Sequence, residues 1–501
     1  MVNKSIPVHS RNQGLQKGSC KHSKEGLTVK KEENFSEWFT QIVQKCELAD
    51  LRYNVKGFLV FQPWSVLTME KMYKHLEEVL QKKSHNPYFF PTLIPEENLK
   101  KESTHLGGFT PEVFWVTQGG EKKFDKKLAL RPTSETAFYQ MFSIWIRSYK
   151  DLPFKTYQRA NVFRYETKAT RPFLRSREFY WIEAHCAHET QEKAFDQVLE
   201  DMNTTKEVLH DIFGIPFIFF ERPAWDKFPG ALRTFAADAL NPDGKVIQQP
   251  STHLLKQTFS KAFDVKYKDK KGEEKYAYIT CYGPAVSRIF ASVVIVHGDN
   301  KGLIFPWDIA PIQIVIVPIN KNNKINKKAE KLKKILEKEY LVEIDYSDKR
   351  PGEKFNHWEM KGVPIRIDLG LKDLEKGKIT IFRRDLNEKK IIPEKILNKT
   401  LKEISKNFTE NLIKKADKIF EGRIKKANNI EGIKKAIKKG KIVQCDFCSV
   451  EKQGESCAKI IEEQTGAEVR GTRLDEKEKP SGKCAVCGKP AKHIVYIAKS
   501  Y

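Results

Sequence analysis

YQRANVFRYETKATRPFLRSREFYWIEAH, residues Tyr157 to His185 of a 501-residue chain, is the stretch on which the fold turns. It reads as a strand carrying Arg164 and Glu166, then a loop with Arg171, Arg175 and Arg177. Side chains two positions apart on a strand share a face. A guanidinium grips phosphate bidentately and a carboxylate accepts from an exocyclic amine, and ATP is a ligand that offers both groups. An isolated R-x-E would be an ordinary surface ion pair contributing about 0–1 kcal/mol, so its meaning depends on the surroundings.

Outward from this stretch, Leu128 to Val294 alternates helical segments with strand-like runs at Phe217 to Phe220, Tyr276 to Cys281 and Ser292 to Val296. There is no regular βαβ rhythm, which predicts an antiparallel sheet with flanking helices. Upstream, Met72, Leu76, Val79 and Leu80 mark one face of a helix between Pro63 and Lys83. A strand is expected next, from Tyr88 to Leu93. Beyond Ile309 the texture changes to strands at Ile312 to Val317, Val342 to Tyr346, Val363 to Leu369 and Ile379 to Phe382, with a Lys-rich helix from Lys327 to Tyr340. That alternation predicts a separate α/β domain with a partly parallel sheet. A basic helix is expected from Pro393 to Gly440, and a cysteine-bearing module closes the chain. The fold class is α/β, divided as 1–33 (a disordered basic tail), 34–308, 309–405 and 406–501.

A net charge of +25 points to a polyanionic partner, although a Lys-rich composition alone would produce the same bias. The longest apolar stretch, Ile309 to Ile319, is interrupted by Pro311, Gln313 and Pro318 and falls short of the roughly 20 residues a membrane span needs. The expectation is a cytoplasmic protein without membrane contact. Five of the nine cysteines, Cys445, Cys448, Cys457, Cys484 and Cys487, cluster near the C-terminus, which fits a local metal site better than a disulfide scaffold. By spacing alone, the two C-x-x-C pairs would select Cys445, Cys448, Cys484 and Cys487.

The quoted stretch resembles the second signature motif of class II aminoacyl-tRNA synthetases, and its TRPFLRSREF portion is similar to the archaeal and eukaryotic type of prolyl-tRNA synthetase. The resemblance runs from Phe35 to Tyr501. It implies an enzyme that activates proline with ATP and transfers it to the 3′ end of tRNA(Pro), with magnesium sharing the phosphate charge. Arg164 would hold the α-phosphate and substrate carboxylate, Glu166 the adenine amino group, and Phe179 would stack on adenine beside Arg175 and Ser176. LALRPTSET resembles the loop that captures the amino-acid nitrogen through Thr133 and Glu135; a prolinium has two N–H donors, which a hydroxyl and a carboxylate can accept. Trp181, His185 and His253 complete the implied proline pocket.

YITCYGPAVSR resembles the third signature and places Arg288 on adenine and the γ-phosphate. Cations at the α- and γ-phosphates suit an in-line displacement, in which charge builds on phosphorus and on the leaving pyrophosphate. IQQPSTHLLKQTF is similar to a segment with the family form IQ-x-G-T-x-H-x-L-G-Q-x-F. Gln248 and His253 match it, Ser251 stands for Thr as a nucleotide contact, and Pro250 and Lys256 replace glycines. Proline removes a backbone donor, whereas glycine permits close approach. No large insertion interrupts Phe163 to Ile295, so no bacterial-type editing domain is expected. The helix and strand from Pro63 to Pro91 resemble the first signature and imply a homodimer.

The strings RPGEKFNHWEMKGVPIRIDLG and ITIFRRD resemble the family's anticodon-binding domain. There Phe355 and Trp358 could stack on unpaired bases, with Glu353, Lys354, Arg366 and Arg383 as candidate contacts. The family form of the cysteine module selects Cys448, Cys457, Cys484 and Cys487 as ligands of a structural zinc and leaves Cys445 spare. The chain ends AKSY, as members of this type do, which implies that Tyr501 tucks its carboxylate toward the catalytic part.

Overall fold

The structure, a computed structural model, describes residues 26–106, 112–167, 169–320 and 322–501. In chain order the elements that matter are helices α1 (Phe35–Lys45) and α2 (Pro63–Lys82), strand β1 (Asn86–Pro87), α3 (Glu135–Trp145), β2 (Phe154–Phe163), β3 (Glu178–His188), α4 (Gln191–Thr205), β4 (Ile218–Glu221), β5 (Arg233–Leu240), β6 (Lys245–Lys256), β7 (Tyr278–Gly283) and α5 (Val286–His297). A second group follows: β8 (Ile314–Pro318), α6 (Asn323–Leu336), β9 (Val342–Ile344), α7 (Pro351–Lys361), β10 (Ile365–Leu369), β11 (Lys378–Arg383), β12 (Glu388–Pro393) and α8 (Leu397–Glu421). The last group is β13 (Ile424–Lys426), α9 (Ile430–Lys438), β14 (Ile442–Phe447), α10 (Glu455–Thr465), β15 (Glu468–Arg473) and β16 (His493–Ser500).

The quoted stretch forms the hairpin-like pair β2–β3, antiparallel from Phe154 opposite Ala187 to Phe163 opposite Glu178. Alternation gives β3 two unlike faces. Its even-numbered residues Tyr180, Ile182 and Ala184 pack into a core with Met72, Leu76, Val79 and Leu80 of α2 and Ile289, Phe290, Val293 and Val294 of α5. Its odd-numbered residues, Phe179, Trp181, Glu183 and His185, face the other way. Each buried aliphatic side chain in such a core contributes about 1.5–3 kcal/mol. The sheet then continues through β7, β6, β5 and β4, with antiparallel pairing throughout.

The C-terminal strands extend this same sheet. β15 pairs with β4, and the end of β16 runs parallel to β6 with Lys245 opposite Lys499. The result is eleven strands in the order β13-β14-β16-β15-β4-β5-β6-β7-β3-β2-β1. Residues 309–396 instead build a five-stranded sheet, β9-β8-β10-β11-β12, parallel on one side of β10 and antiparallel on the other. Helix α8 passes residue 405 without a break; Phe408 and Leu412 belong to the core of the five-stranded sheet, and Phe420 packs with Ile442, Tyr496 and Ala498 of the long one.

Several expectations change. Ser292 to Val296 is helical, the C-terminal half of α5. A helix buried on nearly every side is apolar all round and loses the 3.6-residue signature. Tyr88 to Leu93 is not a strand: pairing stops at Pro87 and resumes at Leu93–Pro95. Side chains replace the ladder there, with the Phe90 amide donating to Gln158 Oε1 at 3.1 Å and the Phe90 carbonyl accepting from Arg131 at 2.7 Å. The basic helix ends at Glu421 and is followed by β13 and α9. Most of the basic tail, residues 1–25, lies outside the described residues; from Gly26 onward the chain is docked, with Leu27 and Val29 against the main core and Lys31 donating to the Gly298 carbonyl at 2.7 Å.

Candidate active site

Arg164 and Glu166 follow the last residue of β2 and are not themselves in the strand, a correction to the sequence reading. The strand nevertheless aims them. A cavity of about 200 Å³ is lined by Arg164, Glu166, Arg175, Ser176, Phe179 and Arg288, so the two arginines expected to straddle a triphosphate open into one space. Arg164 is anchored by Nε donating to the Pro132 carbonyl at 3.1 Å and lies 5.2 Å from the Phe179 ring centre. It faces the cavity yet is ringed by protein, and this loss of water holds its guanidinium below the ordinary value against the pull of Glu135 and Glu183. Arg288 donates to the Leu174 and Gln248 carbonyls at 3.3 and 3.2 Å. Burial, reinforced by Arg164 and Arg175, brings it down to about 10. Three cations in one cavity repel one another, and a polyanion relieves that repulsion.

Beside this cavity the odd face of β3 continues into a buried polar pocket. Thr133, Glu135, Glu183 and His185 are all under a tenth exposed. Thr133 Oγ1 donates toward Glu135 and lies 2.7 Å from Glu183 Oε1, which also accepts the Ser134 amide at 2.8 Å. Gln158 Nε2 reaches Glu183 Oε2 at 3.2 Å, and His185 Nε2 lies 3.3 Å from Glu183 Oε1. Burial pushes the Glu183 carboxyl up, but the His185, Thr133 and Ser134 contacts together hold it below its ordinary value. Ligand atoms of Glu135, Glu183 and His185 lie within 4.8 Å of one another. Two carboxylates so close in a dry site call for a cation between them. Glu183 was not anticipated; its signal was the strand alternation Phe179, Trp181, Glu183, His185, which puts it on the site face. His185 is completely buried and held by the Tyr139 hydroxyl at 2.8 Å, so it stands behind Glu183.

The third wall is β6. His253 sits opposite Cys281, which sits opposite His185, so the register carries all three across one face. His253 Nδ1 is 3.1 Å from the Thr234 hydroxyl and Nε2 is 3.1 Å from Ser251 Oγ. Burial, with Arg222 and His185 nearby, takes this imidazole down to about 3, so the ring is neutral. Ser251, expected against nucleotide, therefore spends its hydroxyl on His253. Gln248 is exposed beside Arg288, with Oε1 3.5 Å from Arg222 Nη2. Pro250 falls in a bulge, where Gln249 and Pro250 together face the single Ala237 of β5, so no ladder donor is required of it. Lys256 adopts φ +59, the left-handed conformation that glycine takes without strain.

From the far end of the chain, Tyr501 reaches the cavity wall. Its carbonyl oxygen accepts from Arg175 Nη2 at 3.0 Å, and its amide donates to Val246 O at 3.1 Å. The sulfurs of Cys448, Cys457, Cys484 and Cys487 lie within 4.8 Å of one another, with Cys448 and Cys457 3.7 Å apart. Tetrahedral ligation at the usual 2.3 Å Zn–S distance would separate sulfurs by about 3.8 Å, so the donor set fits zinc. The Lys489 amide brings the Cys487 thiol down to about 7, easing the thiolate form. Cys445 is absent from this group; it points into the core of the module, where burial pushes its thiol up to about 12.

The anticodon candidates fare less well. Lys354 and Arg366 are buried and engaged internally, Lys354 with the Asp345 carbonyl at 2.9 Å and Arg366 with Asp368 and Glu359 at 2.8 Å each. Arg366 also stacks on Phe355 at 3.9 Å. Glu353 accepts from the Arg350 amide at the start of α7, Arg383 pairs with Asp385, and Trp358 donates to Asp345 at 2.8 Å. In an α/β domain with a parallel centre, charges on the inner strands satisfy one another.

Residues 114–297 match the tRNA synthetase class II core domain (G, H, P, S and T), residues 313–404 an anticodon binding domain, and residues 430–501 the C-terminal domain of prolyl-tRNA synthetase. The proline–tRNA ligase of Thermofilum pendens is 48% identical over 96% of this chain and all of that protein, and that of Methanopyrus kandleri is 43% identical over 93% and 96%. Giardia lamblia prolyl-tRNA synthetase in complex with prolyl-adenylate superimposes with a TM-score of 0.91 at 37% identity, covering 95% of this chain and 100% of that one. The Cryptosporidium parvum enzyme complexed with L-proline and AMP gives 0.88 at 31% identity, covering 96% and 99%.

Proposed function

The chain belongs to the prolyl-tRNA synthetases, a family of class II aminoacyl-tRNA synthetases, and from that premise we propose how its residues divide the work. The protein is a proline–tRNA ligase: it activates proline with ATP to prolyl-adenylate and transfers the prolyl group to the 3′ end of tRNA. The observation that carries the assignment of residues is that Arg164 and Arg288 share one cavity beside the buried Thr133–Glu135–Glu183 pocket.

The prolinium nitrogen is received by Thr133 and Glu135, with Glu183 neutralising its charge, while His253, Trp181 and His185 shape and back the ring pocket. Arg164 holds the proline carboxylate against the α-phosphate. Attack by a carboxylate oxygen on phosphorus expels pyrophosphate, and the charge that accumulates there meets Arg288 and Arg175. Because these cations are in place before reaction, no reorganisation is needed as charge develops. Glu166, Ser176 and Phe179 fix the adenosine, and Gln248 is the side chain beside Arg288 that would meet the magnesium accompanying ATP. Ser251 acts on the proline side through His253.

The four-cysteine cluster holds a structural zinc, and the five-stranded unit with its following helix binds the tRNA anticodon. The division at 34–308, 309–405 and 406–501 is a functional one, since the outer units share the long sheet. Among the described residues no helix is long and apolar enough to cross a membrane. We place the enzyme in the cytoplasm. It works as a homodimer: Val66, Leu67, Phe89 and Leu93, exposed around α2 and the segment after it, offer an apolar face of the kind subunit contacts use.

Amino-acid-dependent ATP–pyrophosphate exchange tests this reading. Proline should support exchange, alanine should do so weakly because one missing methylene discriminates by only about 1–3 kcal/mol, and Arg164→Ala or Arg288→Ala should abolish it. A protein that binds tRNA yet never exchanges pyrophosphate would be an RNA-binding paralogue instead.

A further inference from the structure

Beneath the proline pocket lies an acid that no step above uses. Asp201, on α4, is fully enclosed between that helix and the even face of the sheet. Its Oδ2 accepts the Thr252 hydroxyl at 2.7 Å and its Oδ1 accepts the Gln197 amide at 2.9 Å. Among the described residues no Lys or Arg forms an ion pair with it, and burial pushes the carboxyl up to about 7. A carboxyl kept dry against neutral donors is a costly way to satisfy one hydroxyl.

Thr252 stands between Ser251 and His253, so strand alternation turns it down toward α4 while they turn up toward the pocket. Ser251 to Leu254 is bounded by a bulge at each end: Gln249 and Pro250 against β5, and Leu255 against β7, where pairing jumps from Leu254–Thr280 to Lys256–Ile279. Bulges loosen a strand locally, and Pro250 has no N–H to add to the ladder. The Thr252–Asp201 bond is the vertical tie on this short run.

We propose that Asp201 is a positioning residue for proline recognition, fixing through Thr252 the height and tilt of the Ser251–His253 segment against the pocket. The proposal rests on His253 being a wall of the proline site. Gln197 Oε1 is buried without a partner, so an asparagine at 201 could accept from Thr252 and donate to that oxygen after the glutamine amide flips, a turn that gives up the 3.0 Å bond from Gln197 Nε2 to Glu200 but leaves the Thr252 contact intact.

The test is pyrophosphate exchange by the full chain with separate KM values for proline and ATP, alongside thermal unfolding. Asp201→Asn should keep KM for proline within about twofold, because it retains the acceptor. Asp201→Ala and the near-isosteric Thr252→Val should each raise it about tenfold, the scale of one lost buried hydrogen bond, with KM for ATP unchanged. The double variant should be no worse than the worse single one. If Thr252→Val or Asp201→Ala lowers the melting temperature but leaves KM for proline unchanged, or raises both KM values equally, the residue is merely structural and the proposal is overturned. Should Asp201→Ala fail to fold, Thr252→Val decides alone. His253→Ala separates the layers: no effect on KM for proline would sink the pocket assignment, whereas an effect there with none at Thr252 sinks only the anchor.

Discussion

Glu183 accepts from Thr133, Ser134 and Gln158 while facing His185, and its charge helps set what the pocket can receive. Glu183→Gln keeps the shape and removes the charge. The expected result is a rise in KM for proline of about 10- to 100-fold, the equivalent of one charge-assisted hydrogen bond at about 1.5–3 kcal/mol, read by pyrophosphate exchange at saturating ATP. Lys256 presents the opposite case, a residue that strains its backbone with φ +59. Lys256→Gly should stabilise the protein by about 0.5–1 kcal/mol, measured as a higher urea midpoint with an unchanged slope. The sequence nominates Thr133, Glu135, Arg164, Arg288 and His253 because each sits in a distinctive string, and the structure brings Arg164 and Arg288 to one cavity. Glu183 and Asp201 were not nominated, since one acid on a strand or in a polar helix stands out only when the neighbours on its face are known.

Among elements, β6 and β16 tie the far end of the chain to the centre. β16 pairs with β6 and ends at Tyr501, whose carbonyl receives Arg175. Removing Tyr501 frees that guanidinium in the cavity it shares with Arg164 and Arg288, and kcat/KM for ATP should fall about tenfold, again the scale of one hydrogen bond to a charged group; an unchanged value would show that Arg175 positions itself. The four-cysteine cluster can be tested more sharply. Cys457→Ser should lose bound metal and destabilise the C-terminal module, while Cys445→Ser should keep a full complement, as measured by metal analysis of purified protein. The helix α2 and four strands of the five-stranded sheet were readable from the sequence, while β12, Glu388–Pro393, was missed. The end of α5 was misread because burial on nearly every side erases the polar stripe that marks a helix.

Across the whole molecule, His85, His188 and His297 are buried, and burial first of all depresses them to about 4, about 3 and about 4. In the unfolded chain histidine titrates near 6.5. Between about pH 4 and 6.5 the unfolded state therefore binds more protons, so stability rises with pH across that window and is lost on acidification. Each histidine contributes up to about 1.4 kcal/mol per pH unit. Asp201 works the other way, because it keeps its proton up to about 7 in the fold and loses it near 4 when unfolded. Urea unfolding at pH 4.5, 5.5 and 6.5 should show midpoints rising with pH, and Asp201→Asn should steepen that rise. A flat series would mean that the three imidazoles are hydrated. Arg384, wholly buried, meets Asp299 through contacts of 2.8 and 2.6 Å and joins the five-stranded unit to the end of α5.

By itself the sequence determined the family resemblance, the antiparallel body, the partly parallel second sheet and the presence of a cysteine cluster, and it nominated most of the side chains that line the candidate site. These are local properties, set by strings and periodicities within one element. Only the tertiary structure decided that the C-terminal module completes the same sheet as the candidate active site, that Cys457 and not Cys445 joins the cluster, that Lys354 and Arg366 are already occupied, and that Pro250 lies in a bulge where no ladder donor is missing. Each of those depends on strand register and on which face a residue takes, and register is a relation between segments far apart in the chain.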